Sequence, residues 1–446
     1  MTVNQSLPKL PLNTGEPATK STIELTTNAQ PVVPTAISQD ILVGIDWADR
    51  LHAYHAIYPD GSISAGTFKQ SPHDIANWLA EVQARLPGVR LNVCLETSRG
   101  ALINALVQYP MIAVFPVNPN ALANYRKAFN HGGGKSDPVD ARLIAQYLQH
   151  YRERLLPLRK DQPLTRELAT LCEDRRGLVD QRVGFANELI SLLKQYLPVI
   201  LDLQPADIYA DFVIKLLTHY TTLELLQQAG STKLRKLLFG LGTKAKIELR
   251  LKTIAEAVPL STDAVLQRTS SRRVQAICEL LTVLNKSIKG YDLEIKKLVR
   301  THADYEVVSS LPGAAENTQA RMIAALGDDR SRYANAKSLQ SAAGIAPLTT
   351  QSGKSRYVSS RWACSKFMKQ TFHEYAGLSL VKCKWAKAYY DSMLKKGKSP
   401  QMARRALAYK WLRIIYRCWQ NHEAYDDARY STRLIATGSP LAKQLA

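Results

Sequence analysis

The chain has 446 residues, of which 59 are Lys or Arg and 38 are Asp or Glu, and its formal net charge is +21. This length predicts two or three domains, and this charge favours polyanionic partners such as nucleic acid. The sequence has no apolar run long enough to span a bilayer, and its six cysteines include no CxxC pair, which argues against a membrane protein, a zinc site and a disulfide framework. We therefore expect a protein of a reducing cytoplasm.

The first 157 residues predict a flexible arm and an α/β domain. Residues 1–40 are rich in Thr, Pro, Asn and Ser and lack the apolar core of a secretory signal, so we predict a flexible N-terminal arm. Residues 41–157 predict three strands, a helix, a strand, a helix, a strand and then helices, with a glycine-rich hinge at 131–134 before the last helix. This order indicates a mixed sheet flanked by helices, as in a ribonuclease-H-like or RuvC-like fold.

The rest of the chain predicts helices. Residues 158–304 are interpreted as a helical, coiled-coil connector in which two long segments pair as an antiparallel hairpin. Between them, residues 199–270 predict shorter helices with turns at Gly230, Gly240 and Gly242. Residues 305–425 are predicted to form an all-α C-terminal domain, and residues 426–446 are left as a tail.

Four acidic residues are candidates for a metal site. Asp46 and Glu96 lie at or near the ends of predicted strands, and Asp137 and Asp140 open a predicted helix. Converging carboxylates are the ligands that Mg²⁺ or Mn²⁺ prefers, and a two-metal phosphoryl-transfer site needs several of them. An alternative is that Asp137 is a helix N-cap and that Asp140 favours the positive end of the helix. That alternative leaves unexplained the acid inside the apolar run ILVGIDWA, which is costly to bury without a partner.

A basic and aromatic block occupies the C-terminal part. Residues 330–420 contain 19 Lys or Arg against two acidic residues, with aromatic residues interleaved. Cations over phosphates with aromatic rings for stacking predict nucleic-acid binding. The alternative is that the rings form a helix core and the cations a solvated face. The block is preceded by a short predicted helix, a turn at Gly313 and a second helix, which resemble a helix-hairpin-helix DNA-binding element.

A polar loop, QSGKSR, follows the segment GIAP. A serine hydroxyl can attack a phosphodiester where cations stabilise the charge, and Gly353 permits a close approach. Lys354, Arg356 and Arg361 are candidates to hold the phosphate, and Lys366 is a further nucleic-acid-binding candidate. The alternative is an ordinary surface turn. On chemistry alone the serines at 352, 355, 359 and 360 are equal candidates.

Six motifs together resemble the DEDD-type insertion-sequence transposases, a group that includes bridge-RNA-guided recombinases. In chain order they are GIDWA, LETSRG, KSDPVDARLIA, LPGAAENTQARMIAALGD, SLQSAAGIAP and QSGKSR. The resemblance implies a RuvC-like domain with a Mg²⁺-binding tetrad formed by Asp46, Glu96, Asp137 and Asp140. It also implies that Ser352 is the nucleophile and forms a covalent phosphoserine link to DNA.

The same resemblance implies partners. These are DNA at the element ends and target, a structured guide RNA encoded beside the gene, and further copies of the chain in a dimer or a tetramer. It implies a prokaryotic cytoplasmic protein that acts at the nucleoid. The chain departs from the family pattern in its longer helical segment at 199–270 and in the sequence SSRWACSKFMKQTF after the serine loop.

The sequence therefore leaves three alternative functions. The first is a transposase or site-specific recombinase that cuts and rejoins DNA through the serine. The second is a structure-selective endonuclease in which the acids alone direct metal-dependent hydrolysis. The third is a nucleic-acid-binding protein without catalysis, whose acids are structural.

Overall fold

A computed structural model describes residues 39–129, 136–158, 161–203, 207–238, 244–353, 355–361 and 364–439. Almost all of the predicted arm, the hinge at 131–134, the predicted turns at Gly240 and Gly242, and Lys354 lie outside these residues. The chain divides into two compact units, residues 1–160 and residues 161–446. Within the described ranges no helix combines the length and the apolarity needed to cross a membrane.

The first unit contains a mixed five-stranded sheet, as predicted. The strands are β1 (Ile41–Asp46), β2 (Leu51–Ile57), β3 (Ile63–Lys69), β4 (Leu91–Leu95) and β5 (Ile112–Pro116), in the spatial order β3-β2-β1-β4-β5. The first three strands form an antiparallel meander, and β4 and β5 run parallel to β1. The helices of this unit are α1 (Pro72–Ala84), α2 (Ala101–Leu106), α3 (Pro119–Phe129) and α4 (Asp137–Tyr151).

Both faces of β1 are covered, which explains why its sequence is apolar without alternation. Its odd-numbered residues pack with α1 and α2, whereas Leu42 packs with α3 and α4. Gly44 lies beneath α4, and a Cβ atom there would come within 2.2 Å of the Ala141 carbonyl oxygen. The absence of a side chain at this position therefore allows α4 to cross β1 at backbone contact.

The second unit begins with the predicted helical hairpin. The helices α5 (Pro163–Tyr196) and α11 (Ala264–Val299) pack along each other. Arg175 pairs with Asp292 near one end, and Glu188 pairs with Arg273 near the other, so the two helices are antiparallel. Between them lie α6 (Val199–Asp202), α7 (Asp211–His219), α8 (Leu223–Gln228), α9 (Ser231–Leu238) and α10 (Lys244–Glu256), which confirms the predicted short helices.

The C-terminal region is helical except for one hairpin. Its elements are α12 (Tyr305–Ser309), α13 (Glu316–Leu326), α14 (Ala336–Ala342), β6 (Leu348–Ser352), β7 (Ser355–Ser359), α15 (Lys366–Lys382), α16 (Lys384–Lys395), α17 (Pro400–Asn421) and α18 (Asp427–Ala436). The prediction of an all-α domain is therefore wrong at the antiparallel pair β6–β7. Thr349, Tyr357 and Val358 favour strand conformation, and Gly353, at φ +55°, suits the two-residue connection between the strands.

The aromatic residues of the basic block belong mostly to the core. Trp385, Trp411 and Trp419 are fully buried, and their indole N–H groups donate hydrogen bonds at 2.8, 2.9 and 3.2 Å to partners inside the protein. The prediction that these rings stack on nucleic-acid bases is wrong, and the alternative of a helix core holds for them. Tyr357, on β7, is the contrasting case with 71% exposure. Periodicity placed these rings on helices but did not show which helix faces meet.

Candidate active site

Two of the predicted acids emerge at one edge of the sheet. Strands β1 and β4 are parallel neighbours with Gly44 opposite Cys94. Asp46 and Glu96 lie two residues further along their strands, so the same register brings both to the carboxyl edge. Gly44 and Cys94 face α4, and the alternation of side chains predicts that the two acids point to that side as well. Asp46 is half-buried and Glu96 is exposed.

The helix α4 runs antiparallel to β1. Near its middle it contacts Gly44, and Arg152, just after its last residue, pairs with Asp40, just before the first residue of β1. Its first turn is consequently directed toward the edge at which β1 ends. That turn carries the other two predicted acids, so the topology assigns all four to one end of the unit.

The first turn of α4 carries one exposed acid and one buried acid. Ser136 occupies the N-cap position and Asp137 is the first helical residue, so the alternative in which Asp137 is the cap is wrong. Asp137 is exposed, whereas the Asp140 side chain is only 3% exposed and lies 2.9 Å from the Arg126 guanidinium on α3. Both acids favour the positive end of the helix dipole.

The acids do not form a closed ligand set. Among the described residues, no group of three or more His, Cys, Asp or Glu side chains is close enough to hold a metal ion. Within the described part of the chain, one oxygen of Asp140 is nevertheless buried without a hydrogen bond, and the Arg126 guanidinium is the only counter-ion beside it. Carboxylate oxygens are suitable ligands for Mg²⁺ or Mn²⁺, and a buried acid that needs a cation fits such an ion.

Two residues near the acids escaped sequence analysis. Arg126 lies in the unremarkable helix PNALANYRKAF, and its pairing with Asp140 depends on how α3 meets α4. His52 is fully buried, accepts a hydrogen bond from the Ala48 backbone N–H and bonds to Gln70, so it fixes the turn that follows Asp46. Burial lowers the pKa of His52, which keeps the ring neutral.

Ser352 is the last residue of β6 and lies in the second unit. It is exposed and pairs across the hairpin with Ser355, while Arg356 pairs with Gln351. Because cross-strand partners share a face and neighbours alternate, Ser352 and Arg356 project to opposite faces of the hairpin. Apart from its own chain neighbours, no atom of the described residues lies within 4 Å of the position that a Cβ would take at Gly353, which leaves room there for a ligand.

The remaining predicted residues differ in their surroundings. Lys354 lies outside the described residues, and Lys366 is exposed as the first residue of α15. Arg361 is partly buried, its Nε atom has no hydrogen-bond partner among the residues that the structure describes, and its carbonyl accepts a hydrogen bond from the Lys369 ammonium. Gly313 has φ +81°, and a Cβ there would lie 2.6 Å from the Leu378 carbonyl oxygen, which gives it a packing role against α15.

An acid occupies the start of α13, the second helix of the predicted helix-hairpin-helix. Glu316 is the first residue of that helix and pairs with Lys296 at 3.1 Å and with Arg300 at 3.0 Å. Hydrogen bonds from the backbone and from these two cations lower the pKa of Glu316 to about 2. Its carboxylate already lies at the helix end that a phosphate would use.

Two family models match this chain. One, described as "Transposase" and built on the DEDD IS110 type, matches residues 43–198, and the other, described as "Transposase IS116/IS110/IS902 family", matches residues 305–391. The first match contains the four acids, and the second contains Gly313 and the serine hairpin.

Curated relatives come from mobile elements. The "Mini-circle putative transposase for IS117" of Streptomyces coelicolor is 30% identical over 419 residues, which are 89% of this chain and 98% of that protein. The "Insertion element IS116 uncharacterized 44.8 kDa protein" of Streptomyces clavuligerus is 30% identical over 70% of this chain and 78% of its own length. An IS900 protein of Mycobacterium paratuberculosis is 24% identical over 70% of this chain and 77% of its own length.

Proposed function

The chain belongs to the IS116/IS110/IS902 family of transposases and is a DNA transposase, and from this premise we propose that it cuts and rejoins DNA through Ser352 with the help of a metal-binding carboxylate tetrad. The observation that carries the proposal is the antiparallel crossing of α4 over β1. This crossing directs the first turn of α4, with Asp137 and Asp140, toward the edge where Asp46 and Glu96 emerge. Family membership argues against a binding protein without catalysis.

The carboxylates would hold Mg²⁺ or Mn²⁺. A divalent ion supplies charge stabilisation at a phosphate and helps to form the attacking oxyanion. The contribution of the chain is to hold carboxylates at one edge of a rigid sheet, with His52 fixing the turn after Asp46 and Arg126 neutralising Asp140 before a cation arrives. The DEDD family model fits a divalent-ion requirement, and the buried, cation-seeking oxygen of Asp140 supports it.

Ser352 would carry the covalent step. Its Oγ atom forms a bond to the scissile phosphorus while one P–O ester bond of the DNA breaks; the serine loses a proton and the leaving DNA oxygen gains one. A DNA hydroxyl then attacks the phosphoserine and releases the serine, so rejoining needs no ATP. The exposed position of Ser352 beside Gly353 supports this role. Lys354, Arg361 and Lys366 are the proposed contacts to the attacked phosphate, and Arg356 is proposed to contact nucleic acid from the opposite face of the hairpin.

The test is denaturing electrophoresis of labelled element-end DNA with Mg²⁺, in reactions with and without the proposed guide RNA. We expect the wild type and the matched control Ser355→Ala to form a protein–DNA adduct that protease digestion shortens. Ser352→Ala should form none, and Asp46→Asn should form little or none. An adduct that persists in Ser352→Ala and disappears in Ser355→Ala would transfer the role to Ser355.

Hydrolysis is the rival reaction. The register of the hairpin, which turns Arg356 away from the face of Ser352, is the observation that favours it, because the serine then lacks that cation. Under hydrolysis, Ser352→Ala would still cut DNA, and oxygen from ¹⁸O-labelled water would appear at the new ends. Under the serine mechanism the rejoined product contains no solvent oxygen.

Three further parts of the proposal concern fold and partners. We propose that the first unit has a RuvC-like fold and that residues 305–326 act as a helix-hairpin-helix-like DNA contact, supported by the strand order and by the turn at Gly313. We also propose a structured guide RNA as partner and assembly as a dimer or a tetramer. Light scattering with and without the RNA, together with RNA copurification, tests both.

A further inference from the structure

A cavity of about 430 Å³ lies between α17 and α18 and is lined by residues of the range 410–437. Its two helical walls each contribute a pair of arginines one turn apart. Arg413 and Arg417 come from α17, and Arg429 and Arg433 come from α18. Lys410 adds a fifth cation, and both helices present these residues at the i, i+3, i+4 spacing of a single face.

The charge of this cavity is not balanced within the part of the chain that the structure describes. There, none of the four guanidinium groups makes an ion pair or donates a hydrogen bond, and all four arginines are exposed. Of the described residues, only Glu423 and Asp426 supply carboxylates to the lining. Asp426 is engaged as the N-cap of α18, where it accepts a hydrogen bond from the Arg429 backbone N–H at 2.9 Å.

Each wall carries a like-charge pair at i, i+4, an arrangement that destabilises a helix. The pKa of Lys410, which also lines the cavity, is lowered by burial and further by repulsion from the charge of Arg413. Solubility alone does not require four guanidinium groups to be concentrated between two facing helices. The cost is offset when an anion occupies the space between them.

The walls are rigid enough to form a site. The opposite face of α17 is anchored by Trp411 and Trp419, which are fully buried. The start of α18 is held by Tyr430, whose ring centroid lies 4.8 Å from that of Trp385, and by the Asp427 carboxylate, which accepts a hydrogen bond from the Tyr425 hydroxyl. The arginines therefore start from fixed positions on both sides.

We propose that this cavity binds the phosphodiester backbone of a nucleic-acid strand. Guanidinium groups bind phosphate oxygens through paired N–H donors, and arginines at i and i+4 rise about 6 Å along a helix, which suits successive anionic groups better than one isolated phosphate. The residues lie beyond the segments matched by the two family models, which end at 391. The lining includes neither the four candidate acids nor Ser352, and the proposal does not depend on the chemistry proposed for them.

The test measures binding without cleavage, in EDTA, by fluorescence anisotropy over a series of salt concentrations. The probes are a labelled duplex DNA, a labelled single-stranded DNA and a labelled RNA hairpin. The variants are Arg413→Ala/Arg417→Ala and Arg429→Ala/Arg433→Ala. The matched control is Lys395→Ala/Lys396→Ala, which removes the same charge from two exposed lysines at the end of α16.

Loss of two phosphate contacts lowers the slope of log affinity against log salt by about 1.4 on single strands or about 1.8 on duplex, and weakens binding about tenfold at 0.2 M salt. We expect this loss for both arginine pairs on at least one probe, and that probe identifies the strand bound. Their melting temperatures should equal that of the wild type or exceed it, since a repulsive pair is removed. A loss no greater than that of the lysine control on all three probes, or unfolding of both arginine variants, would overturn the proposal.

Discussion

Replacing Arg126 by alanine tests the charge balance of the acidic edge. The change leaves Asp140, whose side chain is 3% exposed, without the guanidinium that lies 2.9 Å away. Removing one partner of a fully buried pair costs about 3–5 kcal/mol, and the 27% exposure of Arg126 reduces the expected loss to about 2–4 kcal/mol. For a unit of this size the melting temperature should fall by about 5–15 °C.

Magnesium should reverse part of this loss. If the acids at this edge bind the ion, a concentration ten times the dissociation constant restores about 1.4 kcal/mol. We therefore expect MgCl₂ to stabilise Arg126→Ala more than the wild type, in which the guanidinium competes for Asp140. Thermal denaturation followed by circular dichroism, in EDTA and over a MgCl₂ series, measures both effects.

Lys127→Ala is the matched control, because Lys127 is the exposed neighbour on the same helix. It should change the melting temperature little and leave the response to Mg²⁺ as in the wild type. A variant Arg126→Ala as stable as the wild type in EDTA would refute the importance of the pair. A loss that no concentration of Mg²⁺ or Mn²⁺ reverses would refute cation binding at Asp140 while leaving the ion pair intact as an explanation of stability.

Three other perturbations have expected outcomes. Gly44→Ala should destabilise the first unit by at least about 3 kcal/mol, because the added Cβ would overlap the α4 backbone. The control is Gly66→Ala, whose Cβ would meet the edge of the Tyr54 ring at 3.2 Å. Equal melting temperatures of the two variants would contradict the close crossing of α4 over β1. Glu316→Gln should cost about 1 kcal/mol at pH 7 after allowance for solvent screening. Because the folded pKa of Glu316 is lowered to about 2, this advantage of the wild type exists above about pH 4.5 and disappears as the pH falls toward 2. Urea titrations across that range measure the difference in unfolding free energy between the wild type and Glu316→Gln. A difference that does not change with pH would show that the pairing with Lys296 and Arg300 is irrelevant. Metal removal with EDTA should abolish adduct formation and preserve DNA binding, and the loss of both together would contradict a purely catalytic role for the ion.

Much of the fold could be predicted from hydrophobic periodicity and from the residues that form turns. The meander and the later alternation of strands and helices predicted the mixed sheet, and long helical periods predicted the antiparallel pair of α5 and α11. The hairpin at Ser352 was missed because its segment is mostly polar and almost entirely exposed, so no hydrophobic alternation marked it as strand. The β-branched and aromatic residues around Gly353 were the available indication.

The site was predicted in residue type and not in its contacts. Sequence motifs selected Asp46, Glu96, Asp137 and Asp140, but the partner of Asp140 depends on how two helices meet. In the same way, the composition of the basic block favours stacking but does not reveal which side of a helix is covered, and Trp411 and Trp419 prove to be fully buried.

The sequence by itself determined the chain order of strands and helices in the first unit, the helical remainder, the candidate acids and serine, and the strongly basic character, because these depend on local pattern and composition. Only the tertiary structure decided which end of α4 meets the end of β1, that Arg126 neutralises Asp140, and that four arginines of α17 and α18 face one cavity. The reason is that charge and packing partners are set by distances between segments far apart in the chain, and a residue pattern contains no record of those distances.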